Sequence, residues 1–487
     1  MQYYINAHGK LSPIQYSLDY SDTKSDMSMS LEKVLIYPVT DEYTALLSCL
    51  TDSLEIIDKQ TLQLLINEPA KMNKETHNYY SVKFPGNSKE AELRFSEKEN
   101  YHKDILAQKK DSCVSFIICP TYGCNMKCVY CYQHPYVERA NDKISMEKLS
   151  VIFNYMEKEI SRLETLYGKR AVTLELFGGE PLQEHLLDTV GIILEHARKK
   201  NYLIIITTNG LQLELYLPLI EKYRDTIARV YTNLDGIQPV HDQRRKSNDR
   251  TSDSGFLRIV KNINEMRKFY IPITVATNLD KNNIAFLGSY FDYVNHQGWL
   301  NNDLITIELG RVDDRFYSGF YNNCMSEAEL LHRLVDYNRE HPFPKNVKLA
   351  FLKTTEFISR VFGFNFNQDE RGRGQYHYCW ATTPLDDVYY IDNNLDIYRC
   401  TYSVGNKDFK LGNVNVGCLS SAFSNHGFFQ NKECASCSIG KYCSGGCYIS
   451  SQTSWDRHCT EEKANFDYFM KRIVVPEIRS KLHKLFN

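Results

Sequence analysis

Three cysteines, Cys124, Cys128 and Cys131, stand in the run Cys-Asn-Met-Lys-Cys-Val-Tyr-Cys. This CxxxCxxC spacing is short enough for one loop to present three thiolates to a single metal centre. Three sulfur ligands on a four-iron cluster leave one iron with an open position, which a small molecule carrying an amine and a carboxylate can chelate. A closed zinc site takes four ligands instead, and His134 is the nearest residue that would supply the fourth. A second group lies beyond residue 378: Cys379, Cys400, Cys434, Cys437, Cys443, Cys447 and Cys459. Its core reads C-x2-C-x5-C-x3-C, followed by eleven residues and then a last cysteine. Seven thiols are more than one zinc uses, whereas two four-iron clusters accommodate them. The other five of the 15 cysteines (Cys49, Cys113, Cys119, Cys324 and Cys418) are scattered and read as small buried apolar side chains. Grouped thiols in this number point to metal or redox work in a reducing compartment, where disulfides are rare.

The elements that must position these thiols alternate in type. Strand-like apolar runs recur at 114–119, 172–177, 203–207, 229–234, 273–277 and 304–309. Helical periodicity separates several of them, at 146–166, 184–199, 211–223, 256–267 and 283–296. This alternation indicates parallel βα units, and six of them suit an open, partial barrel better than a closed eight-stranded one. Polar or glycine-rich signals follow the strands: the first cysteine group, Gly178-Gly179-Glu180-Pro181, Thr208-Asn209-Gly210, Asp235-Gly236 and Asn278. Loops at that end of barrel strands build active sites. The glycines permit close backbone approach, and the Glu180 carboxylate can accept from an ammonium.

Outside the barrel, residues 31–68 read as a small unit with strands at 33–37, 43–50 and 53–57, then a helix over 58–67 with Asp58 as N-cap. The Lys- and Glu-rich stretch 86–111 reads as a linker or surface segment, 326–363 as a helical bridge, and 461–485 as a closing helix. Over 487 residues, 43% hydrophobic and 24% charged content is ordinary globular composition. A net charge of −2 suggests neither a nucleic-acid partner nor a membrane surface. No apolar run approaches the ~20 residues that span a bilayer, and no basic segment followed by an apolar run opens the chain. The expectation is a soluble, cytoplasmic protein.

The cysteine triplet and the signals after the strands together resemble the radical S-adenosylmethionine (SAM) superfamily. That resemblance implies an α/β fold: a partial (β/α)6 radical SAM barrel with a small α+β N-terminal domain and a C-terminal Fe–S cluster domain. Gly178, Gly179, Glu180 and Pro181 resemble its GGEP motif, which contacts the methionine amine. Thr207-Thr208-Asn209-Gly210 is similar to the third-strand end near the SAM ribose. Asn233-Leu234-Asp235-Gly236 resembles an SxDG element with Asn233 in place of the usual Ser, and His241-Asp242 with Arg245 resembles an HDxxR segment whose arginine takes the SAM carboxylate. Tyr130 and Asn278 complete the implied cofactor contacts.

The second cysteine group resembles the SPASM domain, which binds two auxiliary clusters. The resemblance assigns Cys379, Cys400 and Cys447 to the first, and Cys434, Cys437, Cys443 and Cys459 to the second, giving three [4Fe-4S] clusters in all. The family pattern has a glycine five residues before the second cysteine; here that residue is Leu395, so the turn is expected to differ. No upstream cysteine completes the first auxiliary cluster, which leaves an open iron, Cys418 or a non-cysteine ligand as the alternatives. The implied boundaries are 1–110 for a leader-peptide-recognition-like domain and linker, 111–315 for the barrel, 316–375 for a bridging region and 376–487 for the SPASM domain.

The function so implied is a radical SAM oxidoreductase that cleaves SAM to a 5′-deoxyadenosyl radical and takes hydrogen from a ribosomally made precursor peptide. It then installs an oxidative modification, a thioether, C–C or C–O cross-link. The N-terminal unit resembles domains that capture such a peptide by adding it to a sheet edge; a structural cap on the barrel is the alternative. A reduced flavodoxin or ferredoxin-type protein is the expected electron donor. Two other readings stay open. One is a sulfatase-maturing enzyme oxidising Cys or Ser to formylglycine, whose branch has Asp after the second SPASM cysteine where Thr401 stands here. The other is a non-catalytic Fe–S peptide-binding protein. Glu308, near the end of the sixth strand, is a guess for a general base and equally an ordinary barrel carboxylate.

Overall fold

The computed structural model describes residues 2–5, 11–14, 29–133, 143–248, 254–313, 321–350, 353, 376–418 and 420–486. Five strands near the N-terminus are β1 (Tyr3–Ile5), β2 (Leu11–Pro13), β3 (Leu35–Pro38), β4 (Tyr43–Ser48) and β5 (Ser53–Asp58). They form an antiparallel sheet in the order β2-β1-β5-β4-β3. The expected helix follows as Lys59–Asn67, and the Asp58 side chain caps it by accepting from Thr61 N at 2.8 Å.

The strands that carry the site are β6 (Val114–Ile118), β7 (Met126–Cys128), β8 (Val172–Leu176), β9 (Leu203–Thr207), β10 (Ile227–Asn233), β11 (Arg245–Ser247), β12 (Ile273–Leu279), β13 (Ile305–Arg311) and β14 (Val347–Leu349). Four more follow: β15 (Asp387–Ile391), β16 (Asp396–Tyr398), β17 (Gly412–Asn413) and β18 (Gly417–Cys418). Eleven of them make one sheet, in the order β14-β13-β12-β10-β9-β8-β6-β15-β16-β17-β18. From β14 to β15 every pairing is parallel; the pairs beyond β15 are antiparallel. The six strands expected from the alternation are therefore contiguous, and the sheet stays open with β14 and β18 at its edges.

Helices cover the parallel strands because their apolar stripes match the helical period. Met146–Tyr167 starts at Ser145, whose hydroxyl caps Lys148 N, and buries Leu149, Ile152, Met156, Ile160 and Leu163. It stops at Gly168, where φ is 86°. Gly255–Met266 buries Phe256, Ile259, Val260, Ile263 and Met266 in the same way.

Three expectations need correction. Residues 87–108, read as linker, form one helix, Asn87–Gln108. It lacks a clear apolar stripe, and long-range ion pairs hold it instead: Lys33–Glu90 at 2.8 Å and Lys441–Glu97 at 3.0 Å. Among the described residues the bridge is helical over Glu327–Glu340 and again at Lys353, with β14 between them; much of its remainder lies outside the described residues. The closing helix starts earlier, as Trp455–Phe469, and runs through a π-helical turn at Met470–Val474 into Val475–Phe486. The N-terminal sheet packs on this C-terminal part. Tyr43 stacks on Phe486 at 6.0 Å, Arg479 Nε donates to Val39 O at 2.8 Å, and Lys441 Nζ donates to Leu50 O at 2.8 Å. Among the described residues no helix is long and apolar enough to cross a membrane.

Candidate active site

The loop bearing Cys124, Cys128 and Cys131 leaves the end of β6 and is held from two sides. On one side β7 pairs antiparallel with β11, which sets Arg245 opposite Cys128, and Val129 N donates to Arg244 O at 2.9 Å. On the other side lies the loop after β8, where Gly179 N donates to Thr121 O at 3.1 Å and Glu180 N to Gly123 O at 2.9 Å. A Cβ on Gly179 would lie 2.2 Å from Gly123 O and 2.3 Å from Tyr122 O, so only glycine permits this approach.

Glu180 clamps rather than dangles. Its Oε1 accepts from Leu182 N at 2.8 Å and Thr208 Oγ1 at 2.6 Å, and its Oε2 accepts from Asn209 N at 2.6 Å. Burial raises its pKa while those donors oppose the shift. The carboxylate expected to meet an ammonium is thus also the tie between the loops after β8 and β9. Asn209 continues the tie, with Nδ2 donating to Asn125 Oδ1 at 2.7 Å and lying 3.8 Å from Cys124 Sγ.

These groups wall a cavity of about 250 Å³. All three thiols of the triplet line it, with Tyr130, Gly178, Gly179, Glu180, Thr208 and Asn209. Asn233, Arg245 and Asn278 complete the expected set on the wall. Pro181 and Asp235 are not on it, and neither is the guessed base Glu308. Asp235 sits behind Tyr130, accepting from the Tyr130 hydroxyl and from Asn278 N at 3.1 Å. It is a support for the wall and not part of it.

Behind that wall two guanidiniums and two carboxylates are buried together. Arg244 pairs with Asp280 and, at 3.4 Å, with Asp235, and lies 4.9 Å over the Tyr130 ring. Arg245 Nη1 donates to the Tyr130 hydroxyl at 2.8 Å, while its Nε has no hydrogen-bond partner although the residue is only 7% exposed. A solvated face for these arginines is therefore ruled out. His241 accepts from Asp235 N at 3.1 Å; burial first and the Arg245 charge second push its pKa down to about 3, so the ring stays neutral.

The C-terminal cysteines fall into two sets. Burial, then the neighbouring Cys379 and Cys447, drives the Cys400 thiol pKa well up. Burial, then Cys459 and Cys437, pushes Cys434 up to about 12, and burial, Glu462 and Cys434 act on Cys443. The raised pKa keeps these thiols protonated until a bound cation favours the thiolates. Among the described residues no three His, Cys, Asp or Glu side chains close on one ion. Thiols gathered as one set of three and one set of four are a donor chemistry that [4Fe-4S] clusters take. Arg245 adds a fit for a carboxylate-bearing cofactor, since the residue lines the cavity and its buried Nε has no hydrogen-bond partner. His134 lies outside the described residues. Cys418 is on β18, exposed, near Glu159, Arg162 and Arg399 and not with the Cys400 set.

The turn before Cys400 is built without the glycine of the family pattern. Leu395 keeps a left-handed φ of 67°. Asp392 holds it there, its Oδ1 accepting from Asn394 N at 2.8 Å and Asp396 N at 2.9 Å.

Sequence reasoning missed the far wall of the cavity: Tyr132, Gln133, Phe177, Arg311, Asp313 and Tyr402. The signals were available. Tyr132 and Gln133 directly follow Cys131, Arg311 ends the sixth strand and Tyr402 is two residues past Cys400.

Residues 118–284 match the model of the Radical SAM superfamily, so the chain carries a radical SAM domain. The cysteine-type anaerobic sulfatase-maturating enzyme of Clostridium perfringens is 22% identical over 385 residues, covering 74% of this chain and 97% of that protein. Native anSMEcpe with bound AdoMet shares the fold at a TM-score of 0.54 and 19% identity, over 76% of this chain and 100% of that one. Streptococcus suis SuiB bound to precursor peptide SuiA does so at 0.50 and 15%, over 88% and 97%.

Proposed function

We propose that the chain is a radical SAM peptide maturase that oxidatively cross-links a ribosomally made precursor peptide. One observation carries this reading: Thr401 and Tyr402, beside Cys400, line the same cavity as Cys124, Cys128 and Cys131. A substrate in that cavity lies between the catalytic cysteines and the first auxiliary set. SAM would sit on Glu180, Thr208, Asn209, Asn233 and Arg245, with [4Fe-4S] clusters on Cys124, Cys128 and Cys131, on Cys379, Cys400 and Cys447, and on Cys434, Cys437, Cys443 and Cys459. When bound, these groups supply the hydrogen-abstracting radical and an acceptor for the electron that the substrate then loses. The protein orients: Arg245 takes the cofactor carboxylate, Glu180 ties two loops, and the buried Tyr130–Asp235–Arg244 group keeps water from that wall. The edge strand β3 of the N-terminal sheet offers backbone groups for an added peptide strand.

The sulfatase-maturating relative favours a second reading, oxidation of Cys or Ser to formylglycine. Against it, Thr401 stands where that branch has Asp, and its hydroxyl is 2.6 Å from the Tyr390 hydroxyl. Co-expression with the peptide encoded by the neighbouring short reading frame, followed by mass spectrometry, separates the readings. Loss of two hydrogens with a new cross-link supports the maturase, conversion of Cys or Ser to an aldehyde supports the second, and unchanged peptide alongside SAM turnover counts against both. Dithionite-driven SAM cleavage excludes a non-catalytic peptide binder, and the Cys124→Ala, Cys128→Ala, Cys131→Ala triple variant must abolish it.

A further inference from the structure

The cofactor loops account for one half of the cavity wall. The other half is turned toward the C-terminal cysteine region, because the Tyr132 ring packs on Tyr402 with centroids 4.8 Å apart. Next to that pair lies Gln133, 5% exposed, on the cavity wall, its Nε2 without any hydrogen-bond partner. A buried amide donor left without an acceptor is a standing cost, and in a concave site it marks the place where a ligand supplies the acceptor.

The surroundings define that acceptor. Arg311 and Asp313 pair with each other at 2.7 Å, so the charges on this half offset one another. What remains is two tyrosine rings, Phe177 and a neutral carboxamide. A carboxylate entering the cavity would be drawn to Arg245, which has the unpartnered Nε among the cofactor loops. A neutral donor beside aromatic rings suits a neutral carbonyl, and a peptide main chain presents one at every residue.

We infer that Gln133 is a positioning residue for the substrate: its Nε2 donates to a main-chain carbonyl of the peptide segment being oxidised, and holds that segment against the Tyr132–Tyr402 pair. The inference rests on the peptide-maturase reading and names the part of the site that grips the peptide locally, apart from any contact with the N-terminal sheet.

The test uses the full-length reconstituted protein and a random library of N-acetylated, C-amidated octapeptides as the probe. Members that lose two hydrogens are resynthesised, and each is also labelled with fluorescein for anisotropy. For these peptides Gln133→Leu raises both KM and the anisotropy Kd about tenfold, the loss of one hydrogen bond, with kcat within about twofold. Gln133→Met, which keeps the length of the side chain and lacks the donor, gives the same result and replaces Gln133→Leu if that variant does not fold. Unchanged KM and Kd in either folded variant overturn the inference and leave the maturase reading standing. A wild-type protein that cleaves SAM yet neither binds nor alters any library member overturns the inference, whose grip on the peptide is local, whereas unchanged full-length precursor in the co-expression assay overturns the maturase reading and the inference with it.

Discussion

Replacing Arg245 with glutamine tests the cofactor side of the cavity most directly. The guanidinium is buried, one arm donates to the Tyr130 hydroxyl at 2.8 Å, its buried Nε has no partner, and the residue lines the cavity. If a carboxylate takes that Nε, the contact is a charge-assisted hydrogen bond worth about 1.5–3 kcal/mol. Its loss weakens SAM binding about 10- to 150-fold. The fold should survive the change. Asp235 keeps Arg244 at 3.4 Å, the Tyr130 hydroxyl keeps Asn278 Nδ2 at 3.3 Å, and Glu180, which loses the nearby Arg245 charge, keeps its three hydrogen-bond donors. Arg245→Lys retains charge but not the planar edge and should recover only part of the affinity. Isothermal titration of SAM into anaerobically reconstituted protein reads the effect, with circular dichroism and cluster absorbance as controls. A change below about threefold in Arg245→Gln, with the controls intact, would refute the assignment of the carboxylate to Arg245.

Two further outcomes follow from the same geometry. Gly179→Ala drives a Cβ to 2.2 Å from the Gly123 carbonyl and must part the two loops, so SAM cleavage should fall about a hundredfold. Gly191→Ala, whose Cβ meets nothing nearer than 3.8 Å, should leave cleavage unchanged, and equal rates for the two variants would contradict the loop-zipping account. Glu55, buried on β5 beside Tyr79 and Lys83, has its carboxyl pKa raised from 4.5 to about 7, burial outweighing Lys83 and the Tyr79 hydrogen bond. Its native form holds a proton that the unfolded chain has released between those values, so stability is full below pH 4.5 and declines as pH rises through 7. Glu55→Gln should therefore stabilise the N-terminal sheet at pH 8 by up to about 3 kcal/mol and do little at pH 4. Urea midpoints that shift equally at both pH values would show that the carboxyl is not so perturbed.

What could be read from the chain alone, and what could not, divides along the range of the interactions involved. The β strands of the barrel and their covering helices are legible because each is apolar at its own period, and the cysteine groups because a loop sets their spacing. The helix Asn87–Gln108 is not legible: Phe95 and Leu106 are exposed on it, and its partners Lys33 and Lys441 are distant in sequence. β1 is likewise missed, since a three-residue strand carries little pattern of its own and is defined by its pairing with β2 and with β5 some fifty positions away. Leu395 shows the converse. A left-handed residue suggests glycine, yet Leu395 stands there, and carboxylate Oδ1 of Asp392 supplies two hydrogen bonds that offset a conformation costing about 1–2 kcal/mol. In the site, the motif pattern leads to Asp235 and Pro181 as readily as to Glu180, because a motif does not tell a wall from its support. The substrate half escaped because Tyr132 and Tyr402 meet only when the C-terminal region has joined the sheet.

That junction explains why the cavity has two halves in fixed relation. β15 pairs with β6 over five residues, Asp387 opposite Val114 through Ile391 opposite Ile118, and Cys119 N donates to Ile391 O at 2.8 Å just beyond. The catalytic loop and the C-terminal cysteine region thus leave neighbouring strands of one sheet. The Tyr122 hydroxyl, in the catalytic loop, donates to Asp392 Oδ2 at 2.7 Å, and Asp392 holds the turn that leads through β16 to Cys400. A slip of one residue between β6 and β15 would turn every side chain of β15 to the opposite face, so the register is set by burial on both sides of the sheet and by this clamp. Once it is set, the two residues after Cys400 must face the cavity, as Thr401 and Tyr402 do. The scaffold therefore fixes how the far wall of the cavity stands to the cysteine loop, and on the proposed function the side chains at positions 401 and 402 and the pair that follows Cys131 are what the peptide would meet there.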